Sequence, residues 1–252
     1  MTGGTMPEAR RHFLTALVLW AVLSLAGIVA ILLAAHILPL DASHEASIID
    51  RTFVVLTVVS VPVLMLVVVG LVYSAWRFRA ASEDEEGPPI RGHRPFEISW
   101  LVVTFLLVCF LAAYGAVGLV EIRGAQEADL HVQASAMQWQ WQFQYPDLGI
   151  TSPELVLPVN ERAYVTIVSS DVVHSFFVPA FGVKQDAVPG RVTHLYVTPT
   201  EVGNYGVQCA ELCGLGHTRM TANVVVMTAA DFQTWVAQQR AAQASASPSA
   251  KP

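Results

Sequence analysis

Three apolar stretches dominate the first half of the chain, about Phe13–Leu38, Phe53–Trp76 and Ile98–Val120, with no acidic or basic side chain in their interiors. Each approaches or exceeds the roughly 20 residues that a helix needs to cross a ~30 Å hydrocarbon core. Only 13% of the 252 residues are charged, against about 25% in ordinary soluble domains, so much of the chain is expected in lipid. Arg10 and Arg11 precede the first stretch, and Arg77, Arg79, Arg91 and Arg94, mixed with Glu83, Asp84, Glu85 and Glu86, lie between the second and third. A single base, Arg51, separates the first from the second. The positive-inside rule therefore places the N-terminus and the 77–97 loop in the cytoplasm and everything after about Glu121 outside. The first stretch reads either as a retained helix or as a cleaved secretory signal. It is long for a signal core and no clean small-residue cleavage site follows closely.

From about Ala128 the pattern changes. Short β-rich runs (LHVQASA, MQWQWQFQY, ELVLPV, RAYVTIVSS, VHSFFVP, RVTHLYVT, NYGVQC and MTANVVVM) are punctuated by Gly, Pro, Asn and Asp, the spacing of an all-β sandwich or barrel. MQWQWQFQY alternates aromatic with glutamine, giving one apolar and one polar face. A helix of roughly Ala229–Arg240, started by Thr228 and Asp231 in a capping-box pattern, closes the domain. The tail 241–252 is small, polar and expected to be disordered. The expected organisation is thus an N-terminal helix or signal over 1–40, a transmembrane hairpin over 41–124, an extracytoplasmic β domain over 125–240 and the tail.

The chemistry concentrates in CAELCGLGHTRM, which sets Cys209, Glu211, Cys213, His217 and Met220 within twelve residues. Two thiols, an imidazole and a thioether are soft donors, suited to copper rather than to magnesium or calcium. His174, in DVVHSFFVP, lies 35 residues before Cys209 at the edge of an expected strand. Read alone, Cys209 and Cys213 suggest a disulfide in an oxidising compartment, and two cysteines with two histidines also suit structural zinc. Methionine is rare at zinc, which weighs towards copper. Cys109, in an apolar run, reads as a small hydrophobe. The formal net charge of −6 argues against nucleic acid, and an acid excess in the external part could steer a basic protein partner.

CAELCGLGHTRM together with DVVHSFFVPAFGVKQDAVPGR resembles the copper-A site of cytochrome c oxidase subunit II, and the likeness runs from about Phe53 to Gln238. The resemblance implies transmembrane helices followed by a cupredoxin-like Greek-key barrel. It implies that Cys209 and Cys213 each bridge two copper ions, that His174 and Met220 complete one copper, and that His217 and the Glu211 carbonyl complete the other. The Glu211 carboxylate would help bind magnesium at the boundary with oxidase subunit I. Trp139, in MQWQWQFQYP, corresponds to the ring that receives electrons from cytochrome c or another small redox protein; Gln140 stands where the family commonly has an aromatic. Glu97, in FEISW, corresponds to a carboxylate at the entrance of a proton channel, a position that the helix dipole alone also favours. Asp171 and Gln208 are candidates to orient the ligands. The implied partners are subunit I and subunit III, and the implied location is the cell membrane. A copper-A nitric oxide reductase subunit and a membrane-anchored copper-binding protein are the alternative functions.

Overall fold

A computed structural model describes residues 6–34, 37, 40–80, 82, 92–124 and 127–246. Arg91, the acids Glu83–Glu86 and the last residues of the expected tail, 247–252, lie outside the described residues. The chain divides into two compact units: residues 1–38 with 51–117, and residues 39–50 with 118–252.

The first unit is helical. Helix α1 (Met6–Ala34) takes in the first apolar stretch as far as Ala34, short of the expected Leu38, and α2 (His44–Arg77) and α3 (Arg94–Arg123) contain the second and third with polar residues at both ends. All three are long and apolar enough to cross a membrane. Their apolar side chains are exposed nearly all round, as expected of helices whose solvent is lipid rather than water. Helix α1 packs on α2 through specific contacts. The Trp20 indole donates to the Pro62 carbonyl at 2.8 Å, His12 Nδ1 lies 2.8 Å from the Tyr73 hydroxyl, and Gly27 brings the backbones close enough that an added Cβ would sit 2.9 Å from Val61.

The second unit is a β domain of two five-stranded sheets. One runs β3 (Ile150–Ser152), β2 (Gln140–Tyr145), β1 (Leu130–Met137), β5 (Ala163–Ser169) and β8 (Thr193–Val197). The other runs β4 (Leu155–Pro158), β10 (Thr221–Met227), β9 (Gly203–Cys209), β6 (His174–Val178) and β7 (Val183–Ala187). Pairing is antiparallel except for β1 with β5 and β4 with β10. The chain crosses between sheets after β3, β4, β5, β7 and β8, the Greek-key winding that the resemblance implied. Strict alternation of buried and exposed residues in β1 and β2 sends Val132, Ala134, Phe143 and Tyr145 into one shared core with Leu157, Val165, Phe176 and Val207.

Several boundaries differ from the sequence reading. MQWQWQFQY is not one strand: β1 ends at Met137, the chain reverses at Gln138–Trp139, and β2 starts at Gln140. Ile150–Ser152 and Val183–Ala187 form strands that the sequence reading left out, because they are short and partly charged. The closing helix α4 spans Ala229–Ala246 and so extends into the expected tail, since the Ala- and Gln-rich run after Arg240 has high helix propensity. Residues 41–50, expected in the hairpin, belong to the β unit. Ala42 and His44 exchange backbone hydrogen bonds with Ala180, Thr198 and Thr200. Ser43 caps α2 by accepting from Ala46 N–H, and the buried Glu45 carboxylate accepts from Thr198 N–H at 2.8 Å.

Candidate metal centre

One end of the β domain gathers the end of β9, the start of β6 and the loop from β9 to β10, and these elements carry the soft donors. Cys209 closes β9 opposite Phe176 of β6, which puts His174 beside it although 35 residues intervene. Cys213, His217 and Met220 follow on the loop. Its Gly214 takes φ +114°, a conformation that favours glycine.

The two cysteine sulfurs stand 3.8 Å apart, well beyond the ~2.05 Å of a disulfide, and both are free thiols. Around them, His174 Nδ1 lies 3.8 Å from Cys209 Sγ and the Glu211 carbonyl oxygen 3.3 Å from the same sulfur. Met220 Sδ lies 3.8 Å and His217 Nδ1 3.6 Å from Cys213 Sγ. His174, Cys209 and Cys213 form a group whose ligand atoms all lie within 4.8 Å of one another and could hold a metal ion. His174 and Met220 are fully buried and Cys213 nearly so. Burial, then the neighbouring Cys209 thiol, push the Cys213 thiol up to about 11, so the metal-free protein keeps this proton at neutral pH. A cation reverses that preference, because thiolate is the ligating form.

Asp171 orients the group from behind. Its carboxylate lies 2.8 Å from His174 Nε2 and accepts from the backbone N–H of Gln138 and of Val172, each at 2.7 Å. Burial raises this carboxyl, but the His174 and backbone hydrogen bonds outweigh it and hold it at about 2. An ionised carboxylate only accepts, so Nε2 carries the ring proton and Nδ1 offers its lone pair towards Cys209. Gln208, the other candidate, is exposed and points away from the thiols, on the opposite face of β9 from Cys209.

Trp139 lies across the ligand loop. Its indole Nε1 donates to the Cys213 carbonyl at 3.3 Å, and Gln138 Nε2 donates to the same oxygen at 2.7 Å. A Cβ on Gly216 would come within 2.3 Å of the Trp139 ring, so only glycine lets the loop pass beneath it. Trp141 and Phe143 are buried core rings, and Trp141 packs edge-on against both His174 and Phe176. Gln138 was missed in the sequence because 75 residues separate it from its partner, and no local pattern announces such a contact. Glu97 belongs to the helical unit, where its carboxylate accepts from the His93 N–H at 2.9 Å in the first turn of α3. The Glu211 side chain is exposed.

Comparison with known proteins adds the family. A family model of the periplasmic domain of cytochrome c oxidase subunit II matches residues 150–228. Cytochrome c oxidase subunit 2 of Thermostichus vulcanus is 31% identical over an alignment covering 81% of this chain and 79% of that protein. The chain belongs to the cytochrome c oxidase subunit 2 family. Another relative, cytochrome c oxidase subunit 2 of Cereibacter sphaeroides, is 30% identical with 73% of each chain covered. Among solved structures, the periplasmic domain of subunit II of the Bradyrhizobium japonicum cytochrome oxidase is 33% identical, covers 46% of this chain and 96% of that one, and has a TM-score of 0.44. The chain is thus a subunit of an oxidase.

Proposed function

We propose that this subunit is the electron-entry point of a terminal respiratory oxidase. It takes electrons from cytochrome c or another small redox protein and passes them to a haem of the catalytic subunit, where oxygen becomes water with coupled proton translocation. The observation that carries this reading is the pair of free thiols 3.8 Å apart with two imidazoles and a thioether about them. Two thiols, two imidazoles, a thioether and a carbonyl are six donors, more than the four of a closed zinc site, and their softness suits copper.

In this reading Cys209 and Cys213, as thiolates, would hold two copper ions, with His174 and Met220 completing one and His217 and the Glu211 carbonyl the other. Bound there, the copper pair would supply a one-electron centre that changes little on reduction. The chain's own residues do the rest. Asp171 fixes the His174 tautomer, Trp139 carries the electron inwards through its contact with Cys213, and the buried His174 and Met220 keep water off the cluster. The exposed Glu211 carboxylate is a hard ligand suited to magnesium at the border with the catalytic subunit. Glu97 is read both as the cap of α3 and as the mouth of a proton channel in that subunit. The apolar helices anchor the chain in the cell membrane, and the arginine distribution places the metal domain on the extracytoplasmic side.

The test is copper loading of the full chain in detergent. Two coppers per chain and a mixed-valence EPR spectrum are expected. One metal per chain, or a stable Cys209–Cys213 disulfide that excludes copper, would sink the reading.

A further inference from the structure

Between its two ends, the ligand loop after β9 is fastened to the rest of the β domain at a single peptide. Ala210 N–H donates to the Ser175 carbonyl at 3.0 Å where the loop begins, and Cys209 N–H donates to the Met220 carbonyl at 3.0 Å where it closes. The Gly214, Gly216 and His217 carbonyls accept from N–H groups of the loop itself. Among the described residues, the hydrogen bonds that reach this stretch from outside β9 and the loop both fall on the Cys213 carbonyl. Gln138 Nε2 donates to it at 2.7 Å and Trp139 Nε1 at 3.3 Å.

That carbonyl belongs to the peptide leading into Gly214, whose φ of +114° turns the chain but leaves the joint easy to rotate. The Gln138 amide nitrogen lies 3.0 Å from where a Gly214 Cβ would stand, so the amide fills the space that the glycine leaves. Gln138 also donates its backbone N–H to Asp171 at 2.7 Å, and Asp171 holds the His174 ring. One residue on the β1–β2 turn thus braces two ligand-bearing segments, through partners 33 and 75 residues further along the chain.

The place of Cys213 decides whether the two thiols stay apart. Cys209 is fixed by the pairing of β9 with β6, and its sulfur lies 3.8 Å from that of Cys213, where a disulfide needs ~2.05 Å. Cys213 Sγ is enclosed by Cys209, His217 and Met220 and nearly buried, so closing the gap requires the Cys213 backbone to move. We propose that Gln138 is a positioning residue whose side-chain amide pins the Cys213 peptide, keeping the metal-free site as two separate thiols open to metal instead of a disulfide. The reaction it holds back is thiol–disulfide exchange with an oxidant of the disulfide class. Cys209 and Cys213 each give up one proton and one electron and join as S–S, while the oxidant's own S–S bond breaks and it leaves as two thiols. The purpose of the clamp rests on the electron-entry reading above, but its action is measured without metal.

The test is oxidation of the metal-free full chain in detergent by oxidised glutathione, read by mass on the peptide carrying Cys209 and Cys213, which leaves Cys109 out of the count. Gln138→Leu keeps the backbone N–H and the side-chain bulk and removes the amide donor. A hydrogen bond of this kind shifts an equilibrium by about three- to tenfold, so the disulfide should form about three- to tenfold faster than in the parent. Trp139→Phe removes the longer bond and should raise the rate less. Gln140→Leu, at an exposed glutamine whose amide bonds Met137 instead, should match the parent. The Gln138→Leu rate should be nearly flat in urea below the unfolding transition, because opening one loop exposes little surface. A parent-like rate in Gln138→Leu overturns the proposal, as does a larger effect from Trp139→Phe or an equal one from Gln140→Leu. So does a rate that climbs steeply with urea from the first addition, which marks a general loss of stability. Failure of the copper-loaded parent to hold two coppers per chain would instead remove the electron-entry reading and leave the thiol comparison standing.

Discussion

Replacing Asp171 with asparagine separates the positioning of the metal ligands from the ligands themselves. The carboxylate takes three hydrogen bonds of 2.7–2.8 Å, two on Oδ1 from Val172 N–H and His174 Nε2–H and one on Oδ2 from Gln138 N–H. An asparagine oxygen can keep the first two. Its amide then faces the Gln138 N–H donor with a donor, and that bond is lost. Losing a hydrogen bond to a charged group costs about 1.5–3 kcal/mol, so Asp171→Asn should destabilise the copper-free protein by about 2 kcal/mol in urea unfolding. With the negative charge gone, the His174 ring is held less firmly. Loss of such a partner typically costs 10–100-fold in metal affinity, which competitive copper titration would read. The pH dependence follows from the lowered carboxyl. Its folded-state value of about 2 lies below its ordinary 3.8, so its stabilisation is complete above the ordinary value and is lost as pH falls through about 2. The stability gap between parent and variant should therefore be constant near neutrality and close at acid pH. A copper affinity and an unfolding midpoint both equal to those of the parent at pH 7 would refute the role given to Asp171.

Three further outcomes are expected. The Tyr145 hydroxyl accepts from Val156 N–H at 2.7 Å and donates to the Val156 carbonyl at 3.0 Å, serving edge strand β4 in place of a neighbouring strand. Tyr145→Phe leaves both buried groups unpaired and should cost at least about 1–3 kcal/mol of unfolding free energy, measured in urea, without altering the metal spectrum. Gly216→Ala places a methyl 2.3 Å from the Trp139 ring, where carbon contacts need about 3.5 Å. The indole should swing out by roughly 1 Å and lose its bond to Cys213, seen as red-shifted, more quenchable tryptophan fluorescence against a Trp139→Phe control. Helix α1 is joined to α2 by the Trp20–Pro62 bond and the His12–Tyr73 contact, which a discarded signal would not need. Intact mass of the purified oxidase should therefore include residues 6–34 in this subunit, and a subunit starting after Ala34 would contradict it.

The architecture was largely legible in the sequence because its causes are periodic. Runs of apolar residues longer than a bilayer is thick leave a helix as the form that satisfies every backbone group in lipid, and alternation in the second half leaves β strands with one buried face. The donor set was legible for a different reason: five of its six members fall in one twelve-residue string, and a Cys-x₃-Cys-x₃-His-x₂-Met pattern concentrates soft donors in it. What stayed hidden were contacts between residues distant in the chain. Ser43 and Glu45 look like the start of a membrane helix, yet residues 39–50 are tied to the β domain by Ala180, Phe181 and Thr198.

The sequence by itself determined which side chains can bind copper and that they sit on a β domain behind membrane helices. It could not decide between a disulfide, a zinc knot and a bridged pair, because spacing along a chain does not fix the separation of two sulfurs. The tertiary structure set that separation. The β6–β9 pairing brings His174 to Cys209, and Asp171 turns that ring. The thiols are held 3.8 Å apart, too far to bond to one another and close enough to share metals. Folding likewise put Asp129, Asp147, Glu161 and Glu201 in turns at the end opposite the thiols, since strand direction, not composition, determines which turn a charge occupies.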